Sequence, residues 1–592
     1  MLQLTTTLSA LPNALAADSR GHLYLAMPDM GLLRWDGVTL TPCLRGPAYA
    51  VAITLADQLY VTLGDAVYTI DLNTPSAPLD LTAHFGGAPS GAHRLCCAHD
   101  GAVWVEGCPQ RQLPDGTYAP APPMPLTSGH PIPLAHDQHG NDWSLVEQAA
   151  VQTLLILAAN QPDAWQIVPL PAATFTGWLG IIADESGFLW VAGAAGVYQL
   201  NPRHKDHAWV RLETEQLSPQ STLVALAVSP QGKALLSFAT GQLYEAEINA
   251  AGETLLTPFA TLAPITMARL YTDARGAVWV GTEASLFRQD PAPDAWQRDW
   301  TAMGRLPCGN HDIFATAVGE QLFISGGLTS GRGYPAVSHV FDELYVWDSP
   351  IQPWRVVSRM PFPRCYNGIA YFAQQLWIVG GSANLRDPGN PDGPRDPLAS
   401  VVIYDPESGQ WRDGPALQTE RIEPVVLTAH GRLYTMGGAN AEKVTLATVE
   451  SIGVGESAWQ AAAPLPVAMR QFAGCELDGR LYICGQAGFF AYDPVTDRWD
   501  TALPSPPTLP QAPLMTAHRG EVWVLGGNRR KESWRFSPPR QAWQRGPDLP
   551  TEQSWAAAAS HQGRLLIIGG AHWSTTHQLY IFDDRTYFYN AA

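Results

Sequence analysis

Apolar and polar positions alternate along this chain in short runs, and a polar or glycine-bearing turn cuts each run. ESGFLWVAGAAGVYQL (Glu185 to Leu200) and ARGAVWVGTEASLFRQ (Ala274 to Gln289) show the pattern most clearly. Each reads as strand, tight turn, strand: alternating apolar residues, a glycine free to take positive φ, then Trp-Val on a half-buried strand. Across the first half a polar turn, usually Asp-x-x-Gly, precedes a large apolar anchor seven times. The anchors are Tyr24, Tyr60, Trp104, Trp143, Trp190, Leu235 and Trp279, spaced by 36, 44, 39, 47, 45 and 44 residues. The turn aspartates Asp18, Asp100, Asp137, Asp184 and Asp273 recur at one position of this unit. Such repetition of one type points to turn stabilisation, not to a site.

A second unit follows. A Gly-Gly pair ends an apolar strand at Gly326, Gly380, Gly437, Gly526 and Gly569, with a degenerate copy at Gly485-Gln486. An aromatic strand comes next, as in VVIYDPESGQW, and then a Trp with Pro seven residues on: Trp300/Pro307, Trp354/Pro361, Trp459/Pro466, Trp499/Pro506 and Trp543/Pro550, with Gln418 in place of Pro after Trp411. Glycines allow backbones to converge, the Trp packs between sheets, and the Pro ends the strand. A repeat of about 40 residues with four short strands is one propeller blade. The expected fold is therefore all-β: two tandem β-propellers, about seven blades over 1–299 and six over 300–592.

The register of repeats predicts ring closure. The last Gly-Gly copy has its Tyr strand, LYIFDD, but ends at YFYNAA without a Trp-x6-Pro strand, while Trp300 to Pro307 precedes the first copy with no blade of its own. Trp300 should complete the blade of Gly569, and Leu2 to Leu8 the blade of Trp279. Each closure removes unpaired sheet edges. The junction is expected near Pro291 to Asp299.

The six Gly-Gly copies resemble the kelch-repeat family over the whole second half. The first half resembles the propeller repeats of two-component regulators, on its Gly-x-x-Trp-Val-Gly-Thr type copies. No kinase or receiver segment accompanies them, so no regulatory role carries over.

Composition narrows the function. The 592 residues are 46% hydrophobic and 15% charged, the balance of a chain that buries cores. The net charge is −18, and the first 299 residues hold 13 Lys and Arg against 27 Asp and Glu. That argues against nucleic acid and anionic membranes as partners. No apolar run reaches the length of a membrane span, and the N-terminus reads as mature protein with no signal peptide. Eight cysteines without metal-ligand spacing suggest buried thiols in a reducing, cytoplasmic setting. No nucleophile–base pair, metal set or cofactor motif is present, so neither a catalytic residue nor a cofactor is expected.

What remains is a face. The residues leading into each innermost kelch strand are polar: Asn310 and His311, Arg364, Arg421, Arg470, Gln511 and Gln553. They are expected to ring one channel mouth, where the arginines could pair with carboxylates or could bond backbone carbonyls instead. Resemblance to kelch domains implies that this face binds acidic peptides or small polar ligands. Long loops after the Gly-Gly strands should share it, bringing Tyr334, Arg386 and Arg395; Trp573 and Glu423 complete the candidate set. The expected function is a non-catalytic protein-interaction scaffold whose partner offers an acidic segment. The alternatives are a sugar-active enzyme similar to kelch-type sialic-acid epimerases, using Arg421 with Glu420 or Glu423 and Arg470, or a glycan-binding lectin.

Overall fold

The computed structural model describes residues 3–590 except 55–56, 75–76, 87–93, 99–101, 107, 114, 123–130, 132–133, 149–150, 159–163, 171–178, 194–195, 202–208, 213–221, 230–231, 274–275, 291–298, 333–336, 349–353 and 386–393. The described residues contain strands and no helix. The chain divides into two compact units, Met1–Ala292 with Gly331–Val337, and Pro293–Ser330 with Ser338–Ala592. Of the expected junction, residues 291–298 lie outside the described residues.

Four-stranded antiparallel sheets make up both units, seven in the first and six in the second among the described residues. Within a sheet, burial follows strand position. The second strand is covered on both faces, as in Leu189–Gly193 and Val278–Gly281. The outermost strand is largely exposed, as in Leu79–Asp80 and Gln410–Asp413. Strands covered on both sides read as continuous apolar runs, and half-covered ones alternate.

The core lies between sheets, not within one layer. Each apolar cluster joins two neighbouring sheets: Leu145, Ile156 and Val191 in one, Leu433, Ile452 and Trp377 in another. In the first unit, Trp279 of the last sheet packs with Leu25 and Trp35 of the first. In the second, Leu566, Ile568 and Phe588 pack with Leu322, Trp347 and Trp354. Burying each such side chain contributes about 1.5–3 kcal/mol.

Gln3–Thr7 pairs with Ser285–Gln289, in the sheet of Val278–Gly281. Trp300–Arg305 pairs with Arg585–Tyr589. The latter corrects the expected strand order: Leu579–Phe582, the LYIF segment, pairs with Ala571–Ser574 in a separate two-stranded ribbon, and Arg585–Tyr589 takes the third place in the sheet. The reason is burial. Tyr587 and Phe588 point to opposite faces and enter two different clusters, whereas only Ile581 of the LYIF strand is buried.

The turn aspartates of the first unit are structural. Asp184 Oδ1 accepts the backbone N–H groups of Ser186 and Phe188, and its Oδ2 accepts the Trp190 indole N–H at 2.7 Å. Asp137 serves Trp143, and Asp273 serves Trp279, in the same way. Asp100 lies outside the described residues.

Candidate functional site

In the second unit, the residue fourteen positions before the first glycine of each copy is Asp312, Tyr366, Glu423, Gln471, Ala512 and Trp555. All six take positive φ, between 50° and 58°. Non-glycine residues avoid that region, at a cost of about 1–3 kcal/mol each. Six at one repeat position mark a reversal that every blade makes before its innermost strand. Three backbone hydrogen bonds join these residues across neighbouring blades: Asp312 N–H to Trp555 O at 2.8 Å, Glu423 N–H to Tyr366 O at 2.9 Å, and Ala512 N–H to Gln471 O at 2.9 Å.

The six residues line one open pocket, together with Phe314, Phe472 and their neighbours. A hydrogen-bond chain braces its polar wall from outside: Gln511 Nε2 donates to Gln471 Oε1 at 2.7 Å, and Gln471 Nε2 donates to Glu423 Oε1 at 3.2 Å. Burial, and next the charge of Asp312, push the Glu423 carboxyl above its usual range. Asp312, and next burial, push the Tyr366 phenol up, while Arg395 acts in the opposite sense.

The positions just before this ring do a different job. Two residues earlier stand Asn310, Arg364 and Arg421, whose side chains donate to the first-glycine carbonyls of their own blades: Gly326 at 3.0 Å, Gly380 at 3.2 Å and Gly437 at 3.2 Å. The second glycine of each pair donates in turn to the next blade, Gly327 to Arg364 O, Gly381 to Arg421 O and Gly438 to Met469 O. Gly570 to Asn310 O joins the last blade to the first. The intervening residues, His311, Cys365, Ile422 and Ser554, form bridges to the residue after the glycines. The loops that follow the glycines therefore start on the pocket side.

The expected arginine ring is thereby corrected. Arg364 and Arg421 are 0% exposed. Burial draws Arg364 down to about 10, and Arg421 Nη2 sits 2.5 Å from Glu450 Oε1. Both brace blades by bonding backbone carbonyls, and neither meets the pocket. Gln553 is also interior, donating to Asp583 at 3.1 Å, and His311 is buried with its ring 4.4 Å from that of Phe582. Arg470 is exposed, and its charge reaches Glu423. Gln511 is half-buried and donates to Gln471 of the pocket lining, and Arg395 is half-buried near Tyr366. Trp573 packs against Tyr580, with the Arg529 guanidinium 4.9 Å from its ring centroid. Tyr334 and Arg386 lie outside the described residues. Glu423 is thus the one expected residue among the pocket's six ring members. Asp312, Tyr366, Gln471, Ala512 and Trp555 were missed, although their constant offset from the glycines could have located them.

Comparison with known proteins bears on this unit. Residues 363–418 match the kelch motif. The chain carries kelch repeats. It is 28% identical over 245 residues to Kelch-like protein 35 of Mus musculus, covering 40% of this chain and 39% of that protein. It is 27% identical over 243 residues to Kelch-like protein 34 of Homo sapiens, covering 38% of each. The chain thus spans about two fifths of the curated relatives' length. A solved structure, "Structure of YjhT", aligns at 14% identity with a TM-score of 0.39, covering 48% of this chain and 96% of the other.

Proposed function

We propose that this protein is a non-catalytic interaction protein whose kelch unit docks a protein partner at the pocketed face. The observation that carries the reading is the ring of six positive-φ residues around one pocket. Backbone held in a sparsely populated region clusters at ligand clamps and binding sites, and a pocket with aromatic walls and a few converging polar groups has binding-site character. The relatives share the kelch repeat that forms this face, and the N-terminal unit would add a second body. Low cysteine content supports a cytoplasmic setting.

The sugar-acid alternative needed Arg421 beside Glu420 or Glu423, and Arg421 is spent on Glu450 and backbone carbonyls. Affinity purification from the native host tests the proposal. A stoichiometric protein should copurify with the wild type and be lost from a folded Tyr366→Ala/Trp555→Ala variant. Undiminished retention by that variant overturns the docking face.

A further inference from the structure

The pocket's charge is opposite to that expected of the mouth. Its lining includes two carboxylates, Asp312 and Glu423, and no lysine or arginine. Asp312 acts on both Glu423 and Tyr366, so the two acids share one field. Glu423 Oε1 takes the Gln471 amide, while its Oε2 is buried and accepts no hydrogen bond among the described residues. Around these acids stand the rings of Tyr366, Trp555 and Phe314.

We propose that this pocket takes the cationic side chain, guanidinium or ammonium, of a basic segment of the protein partner. The inference rests on the docking reading above and names what the face recognises. A pocket wall that carries two carboxylates gains most from a charged donor. Aromatic faces attract the same cations and repel anions. The polar chain from Gln511 through Gln471 fixes the Glu423 carboxylate in place, so little ordering is left for binding to pay. An acidic segment would meet two like charges here, and two of the three arginines expected to receive it, Arg364 and Arg421, are buried.

The binding form of Glu423 is the carboxylate. Its proton affinity is raised, so cation affinity should fall on acidification before the ordinary carboxylate range is reached. The groups facing it are Asp312, Gln471, Tyr366 and Arg470, with Arg395 beside Tyr366 and His311 Nδ1 2.5 Å from Asp312 Oδ2.

Titration calorimetry on the full chain at low salt supplies the test. The probes are end-blocked pentapeptides with a central arginine, lysine, citrulline or glutamate, and free agmatine. The arginine or lysine peptide should bind saturably, and citrulline and glutamate should fail. A folded Asp312→Asn/Glu423→Gln variant should bind the basic peptide at least tenfold more weakly. Equal binding of citrulline, undiminished binding by the variant, no basic-peptide binding at all, or tighter binding of agmatine than of either basic peptide would each overturn the proposal. If the captured partner tolerates the carboxylate variant yet is lost with Tyr366→Ala/Trp555→Ala, docking stands and the cation inference falls. If it tolerates both variants, both fall.

Discussion

Arg421 and Glu423 stand two residues apart and do opposite things. The first is sealed between blades, where its guanidinium meets Glu450, Gly437 O and Thr448 O. The second opens onto the pocket. Breaking a buried ion pair from one side leaves the other charge uncompensated, at about 3–5 kcal/mol. Arg421→Ala should therefore lower the unfolding free energy of the kelch unit by that amount in a denaturant titration. A loss under about 1 kcal/mol would mean that Arg421 is a surface group after all. The residue type was legible in the sequence, but its direction was not. Arginine in a polar turn reads as exposed, because nothing in a single sequence shows that a neighbouring blade's carbonyls and Glu450 will surround it.

At the scale of the element, the Gly-Gly pair sets the spacing between blades. Gly438 has φ +90°, and a Cβ there would lie 2.2 Å from Ile422 O. Gly431, in a nearby hairpin turn, has φ +69° with nothing within 4 Å of such a Cβ. Gly431→Ala should cost only the left-handed backbone term, about 1–2 kcal/mol. Gly438→Ala should cost clearly more, since backbone must move as well. Equal losses in thermal or denaturant unfolding would refute the close-approach role. The same repeat made the strand pattern readable, since glycine, aromatic and Trp-x6-Pro positions are each demanded by packing. It did not resolve which aromatic run completes the last sheet. LYIF and TYFY have similar β-character, and only burial on two faces, by Tyr587 and Phe588, separates them.

At the scale of the whole molecule, each unit ties residues from its two ends into one sheet. Trp300 packs with Trp523, Leu565 and Tyr587 and is almost fully buried. Removing a core Trp side chain costs about 3–5 kcal/mol, so Trp300→Ala in the full chain should destabilise the kelch unit by that much. A change confined to local fraying, with the main unfolding transition unmoved, would contradict a joined ring. Fold class and the repeats were legible because many copies repeat one physical demand. The pocket was legible only in part. Its location follows from a constant offset to the glycines, but its side chains differ in every blade, so no motif announces them. The most direct measurement of the docking claim is hydrogen exchange of the full chain with and without its copurified partner. Protection should gather on the turns at 310–314, 364–368, 421–425, 469–473, 510–514 and 553–557. Protection confined to the first unit or to the outermost strands, with these six turns unchanged, would contradict the account.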